Sequence, residues 1–140
     1  MPITKLFLIR HGQSAGNAEG RFGGHGPTPL SQLGLRQAEI TAKVLAKEGV
    51  SVVYSSDLYR AVQTAECLSR ILKIPVKTTQ AFRERNVGVL EGLTFDESKL
   101  NHPKDYYALV NRNVHHAELK FNERKGFFRR TTDGVAEVGP

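Results

Sequence analysis

Lys5-Leu6-Phe7-Leu8-Ile9-Arg10-His11-Gly12 is a short, nearly continuous apolar run that stops at a cation, an imidazole and a glycine. An apolar run of that length without alternation predicts a strand over 5–9, buried on both faces and therefore central in its sheet. Gly12 to Pro29 follows, rich in Gly, Ser and Asn and without apolar periodicity. It is expected to be a long loop, and long ordered loops in compact domains usually carry function. Ser31 then offers an N-cap to a helix whose Leu35, Ala38, Ala42, Leu45 and Ala46 recur at helical spacing until Gly49 stops it. Val50 to Tyr54 predicts a second strand, with Ser55-Ser56-Asp57 as caps for a second helix. Leu58, Ala61, Ala65, Leu68 and Leu72 give that helix its face until Ile74-Pro75, and a third strand is expected from about Val76 to Phe82. The order β-α-β-α-β demands parallel strands and right-handed crossovers, hence a layered α/β fold. Thr94-Phe95-Asp96-Glu97 has capping-box spacing and opens a shorter helix that ends near His102-Pro103. Beyond Asp105 the pattern weakens.

The chain has 140 residues, 39% of them hydrophobic. That length supports one core without staples, so a single domain over 1–140 is expected. Cys67 is the one cysteine. It cannot form an internal disulfide and lies in an apolar helical stretch, where it reads as a small core residue. No apolar run approaches the roughly 20 residues of a membrane helix, and a cytoplasmic protein without membrane association is expected. Twenty basic against 14 acidic side chains give a net charge of +6. Such a charge suits nucleic acid, an acidic membrane surface or a small phosphorylated substrate; the excess is spread along the chain with no Lys/Arg block and no interleaved aromatic platform, which argues against nucleic acid.

In open α/β sheets ligands bind at the carboxyl ends of the strands. The three predicted strand ends bring Arg10-His11-Gly12, the helix start carrying Arg60, and Arg83-Glu84-Arg85 toward one pocket. A guanidinium fork matches phosphate oxygens bidentately, so Arg10 and Arg60 suit a phosphoryl group. Arg60 lies in the first helical turn, and its side chain leans back toward the strand end. His11 can attack phosphorus through one neutral ring nitrogen if a hydrogen bond fixes the other as the protonated one. Gly12 is expected to keep the ring uncrowded, and Glu84 to act as an acid if burial favours its neutral form. Taken alone, Arg-His-Gly is a weak tripeptide and Arg-Glu-Arg an ordinary solvated ion-pair cluster. Their conjunction across three strand ends favours chemistry.

Leu8-Ile9-Arg10-His11-Gly12-Gln13-Ser14 with Asn17 resembles the signature of the histidine phosphatase, or phosphoglycerate mutase-like, superfamily. Pro29-Leu30-Ser31 with Gly34 and Gln37-Ala38 continues the match, as do Ser55-Ser56-Asp57-Leu58 with Arg60-Ala61 and Gln63-Thr64-Ala65. Arg83-Glu84 with Gly88 and Glu91-Gly92-Leu93-Thr94 completes it, so that the resemblance covers about residues 4–97. It implies a three-layer α/β/α sandwich with a mainly parallel central sheet. It also implies that His11 becomes phosphorylated, that Arg10 and Arg60 bind the phosphoryl group and that Glu84 is the proton donor. Asn17 would line the phosphate pocket, and Gly23-Gly24 would supply backbone contacts to substrate. Arg85 would meet a second substrate anion or form a surface ion pair. The reaction would pass through phospho-His11 to water with no metal or other cofactor, since arginines carry the charge. Neighbours such as His115-His116 do not converge on a metal. Asn86-Val87 stand where mutases of the family tend to have His-Tyr, which favours hydrolysis over the mutase alternative.

Two departures qualify the resemblance. Gly26-Pro27 stands where many relatives have an Asp before the Pro-Leu segment. The family's second catalytic His, in a His-Gly pair at the end of a later core strand, has no counterpart, since His102, His115 and His116 follow no apolar run. The chain instead continues through Phe121 to Arg130, read as an amphipathic helix with an irregular tail to Pro140. Without that later strand the run at Leu6 to Ile9 would present an unpaired edge, a reason to self-associate. A truncated or altered longer phosphatase is favoured over a natural short paralogue, a phospho-ligand binder of low activity, and over a tail that covers the edge in an unfamiliar way, because His11, Arg10, Arg60 and Glu84 are all present. A plain α/β domain with an accidental signature is the third reading.

Overall fold

The computed structural model describes residues 4–111, together with the backbone of residues 129–130 and 136–137. Ser31 does cap a helix, α2 (Gln32–Leu45), its hydroxyl accepting from the Gly34 N–H at 3.0 Å. The helix tightens into a 3-10 turn over Ala46–Glu48 and stops where Gly49 takes φ 71°, the left-handed conformation glycine reaches without strain. Its buried face is Gly34, Ala38, Ala42 and Leu45, with Gly34 taking the place expected of the exposed Leu35. Upstream, the long loop contains one helical turn, α1 (Ala15–Ala18), which periodicity did not signal. Ser14 and Asn17 close a reciprocal capping box on it.

Strand β1 (Val53–Ser55) and strand β2 (Val76–Thr78) pair in parallel, Val53 opposite Val76 and Ser55 opposite Thr78. Helix α3 (Tyr59–Leu72) connects them, so the β-α-β unit and its parallel sheet are as expected. Both strands are shorter than the apolar runs suggested, and Gln80–Phe82 forms a 3-10 turn. The predicted caps at Ser55-Ser56-Asp57 are not used. The N-cap is Leu58 without a side-chain bond, because Ser55 and Ser56 are buried behind the strand end and Asp57 is taken by Arg83. Helices α2 and α3 pack together, and Leu30, Ala38, Ala42, Leu45, Val53, Cys67 and Leu68 form the main core. Cys67 is the small core residue anticipated.

The Thr94 capping box is present and opens α4 (Phe95–Asn101). Pro103 then starts α5 (Pro103–Val110), in the stretch where the sequence pattern weakened. A second, smaller core joins Val87, Leu90 and Leu109 with Phe22. The loop is tied to this side by Phe22 N–H to Leu93 O at 2.9 Å and by Arg21 to Glu97 at 3.0 Å.

The first apolar run departs most from expectation. Residues 5–9 form no strand, and Leu6, Leu8 and Ile9 are 59%, 64% and 49% exposed, with Phe7 alone packing on the core. A strand exists only where a neighbour pairs its backbone groups. Among the described residues, β1 and β2 serve each other and nothing pairs with this run. The helix expected from Phe121 lies outside the described residues, except that Arg129–Arg130 (β3) pairs antiparallel with Ala136–Glu137 (β4). His115 and His116 lie outside them too. No described helix is long and apolar enough to cross a membrane.

Candidate active site

Arg60 is the centre of the site. It stands in the first turn of α3, its side chain 2% exposed, and leans back over the β1 end as helical side chains do. Nε donates to His11 Nε2 at 3.2 Å, and one terminal nitrogen donates to Gly26 O at 3.2 Å. The other terminal nitrogen serves both Gly24 O at 2.7 Å and Glu84 Oε2 at 3.2 Å. One guanidinium thus draws together His11, the Gly24–Gly26 loop and Glu84, three segments far apart in sequence.

His11 is half-buried, with Nδ1 2.7 Å from Gly12 O. A carbonyl only accepts, so Nδ1 carries the proton and the lone pair is on Nε2, where the Arg60 N–H meets it. Burial lowers the His11 pKa from its ordinary value, and the charges of Arg60 and Arg10 lower it further against the opposing Gly12 hydrogen bond and Glu84 charge. The imidazole is thereby kept neutral and in the tautomer a nucleophile needs.

Gly12 also answers to a packing constraint that the sequence did not signal. A Cβ there would lie 2.3 Å from Gly34 O, and a Cβ at Gly34 would lie 2.0 Å from Gln13 O. The pair lets the chain after His11 touch the first turn of α2, backbone on backbone. Gly12 N–H donates to Thr64 Oγ1 at 3.1 Å, and that hydroxyl donates to Arg60 O at 2.8 Å. Thr64, four residues after Arg60 and so on the same helical face, ties His11's neighbour to the helix that carries Arg60. Gln37 accepts from Gln13 N–H at 2.9 Å, and Gln63 from Leu30 N–H at 2.8 Å. These supporting amides carried no role in the sequence reading. Helical spacing from Arg60 was the available signal for Gln63 and Thr64.

Arg10, His11 and Asn17 share an open cleft of about 340 Å³ with Gly12, Gln13 and Gln37. Asn17 also accepts from Ser14 N–H at 3.3 Å. Gly23 and Gly24 are turned to Arg60 rather than to this cleft: Gly24 provides a carbonyl, and a Cβ on Gly23 would touch the guanidinium at 3.5 Å. Gly24 takes φ 47°, and a Cβ there would meet Val87 at 2.6 Å. Glu84 is not buried as its expected role as acid required. Its side chain is 54% exposed and ion-paired to Arg60. Arg83 forms a two-pronged pair with Asp57, which holds the Asp57 carboxyl below the usual carboxylate range and fixes the segment before Glu84 to the start of α3. Arg85 is exposed and takes no part in these contacts.

His25 is the residue sequence reasoning missed outright. Its backbone N–H donates to Glu91 Oε2 at 3.0 Å, and its Nε2 lies 2.7 Å from the Glu84 carbonyl. No periodicity or motif marks a histidine inside a glycine-rich loop.

The sequence profile of the histidine phosphatase superfamily (branch 1) matches residues 6–138. Phosphoglycerate mutase-like protein 4 of Arabidopsis thaliana is 38% identical over 107 residues, covering 75% of this chain and 46% of the relative. Among solved structures, a mycobacterial glucosyl-3-phosphoglycerate phosphatase superposes with a TM-score of 0.66 at 35% identity, over 72% of this chain and 47% of the other. The alpha-ribazole phosphatase of Shigella flexneri gives 0.68 at 31% identity, over 77% and 54%. The chain spans about half the length of the curated relatives it matches. With the α/β fold and its parallel sheet shared with these phosphatases, and the profile running over nearly the whole sequence, the chain belongs to the histidine phosphatase superfamily, branch 1.

Proposed function

We propose that this chain hydrolyses phosphate monoesters through a phosphohistidine on His11. The observation that carries the reading is the Arg60 guanidinium in contact with both His11 Nε2 and Glu84 Oε2, each at 3.2 Å. A phosphoryl group entering between them takes over those hydrogen bonds, with Arg10 and Asn17 meeting it from the cleft. Released from Arg60, the Glu84 carboxylate takes up a proton from solvent as the substrate binds; the freed lone pair of His11 attacks phosphorus, the bond to the ester oxygen breaks, and Glu84 gives that proton to the departing alcohol. Water then attacks the phosphoryl group, the P–N bond breaks, and Glu84 recovers a proton from that water. The products are the alcohol and inorganic phosphate, and His11 is again neutral. Gly24 acts by holding Arg60 through its carbonyl, Gly23 leaves room for the guanidinium, and Arg85 stays free for a second anion on the substrate. Phosphatases among the structural neighbours and Asn86-Val87 in the acid segment favour water as the acceptor.

The relative named phosphoglycerate mutase-like keeps transfer to a second hydroxyl as the alternative. The two readings separate in phosphate release from an aryl monoester with and without an added phosphoglycerate. Hydrolysis gives one phosphate per alcohol in both conditions. A mutase diverts the phosphoryl group to the acceptor. Phosphate protection against thermal unfolding that persists in His11→Ala, without any turnover, would identify a binding module instead.

A further inference from the structure

We infer that His25 is a positioning residue for the acid, holding Glu84 in place through that residue's main-chain carbonyl. The inference rests on the reading of Glu84 as proton donor. Glu84 has an exposed side chain whose one ion pair among the described residues, to Arg60, is the contact a phosphoryl group displaces. Something else must then keep the carboxyl facing the ester oxygen. The His25 ring is placed to do so, its Nε2 2.7 Å from Glu84 O. Since the carbonyl only accepts, Nε2 carries the proton and donates, in either charge state of the ring. His25 is in turn fixed by its own N–H to Glu91 Oε2 at 3.0 Å. The carbonyls on either side of it, Gly24 O and Gly26 O, are the two that hold Arg60. A single loop residue therefore sets the spacing between the guanidinium and the acid without touching the reacting atoms.

The consequence is specific to leaving-group protonation. An aryl phosphate with an acidic phenol departs with little help, whereas an alkyl phosphate needs the proton. The experiment measures kcat/KM for wild type, E84Q, H25A and H25Q over monoesters of rising leaving-group pKa, on samples shown to be folded. E84Q should lose activity more steeply as the leaving group worsens, by about 100-fold or more on an alkyl phosphate. H25A should follow the same trend less deeply, about tenfold on the alkyl ester and far less on the acidic phenol. H25Q, which keeps a side-chain N–H donor, should recover most of that loss. An equal loss across the series in H25A, with E84Q still steep, overturns the role of His25 alone. A flat E84Q series, or no turnover by the wild type, overturns the reading of Glu84 beneath it. Should H25A fail to fold, nitrogen-15 shifts of the wild-type ring decide: a proton on Nε2 is required, and one on Nδ1 overturns the inference.

Discussion

The state of the His11 ring is written in two hydrogen bonds on its opposite sides. Gly12 O accepts a hydrogen bond from Nδ1 and Arg60 N–H faces the Nε2 lone pair, while burial and the charges of Arg60 and Arg10 hold the ring neutral against the Gly12 bond. Its folded pKa lies below the value of about 6.5 for an unfolded chain. The unfolded state therefore binds that proton first, and the stability contributed by neutral His11 is present above about pH 6.5 and lost as pH falls toward the folded pKa. Thermal unfolding of wild type and His11→Gln should accordingly diverge below about pH 6.5, the wild type losing more. Parallel curves would contradict the burial of the ring. Arg60 carries a heavier structural load. Arg60→Ala strands the carbonyls of Gly24 and Gly26, at about 1–3 kcal/mol each. Denaturant unfolding should show a loss of about 2–6 kcal/mol, besides the loss of turnover.

At the scale of elements, local rules were readable wherever a single turn or cap decides the outcome. Ser31, Gly49 and Thr94 act as their residue types predict. Thr94→Ala should cost about 1 kcal/mol in chemical unfolding, the ordinary worth of an N-cap hydroxyl. Gly34→Ala should cost about 3 kcal/mol or more, because its methyl would meet the Gln13 backbone 2.0 Å away and neither backbone can yield without dragging His11. A Gly34 loss no larger than that of Thr94 would contradict the close contact between α2 and the backbone that follows His11. What sequence could not show were contacts made between elements. Ser55 to Asp57 look like caps but are spent on burial and on Arg83. His25 has no pattern of its own, since its partners lie 59 and 66 residues away.

Across the whole molecule, the meeting of His11 and Glu84 at Arg60 was legible from the α/β order, although the run before His11 forms no strand. The first apolar run was not, because a strand depends on a neighbour that its own residues do not encode. With Leu8 64% exposed, Leu8→Lys should change stability by no more than about 0.5 kcal/mol. A loss of several kcal/mol would place that run in a core. The glycine loop and the segment from Glu84 to Glu91 are joined through Arg60, Glu91 and His25. The central claim is that these pieces make His11 a phosphoryl acceptor. The most direct measurement is to mix the chain with a monoester carrying radioactive phosphate, quench with base, and locate the label by peptide mapping. The account predicts an acid-labile, base-stable label on His11 that is absent from His11→Ala. A folded sample that turns over the ester yet leaves His11 unlabelled, or labels His11→Ala equally, would contradict it.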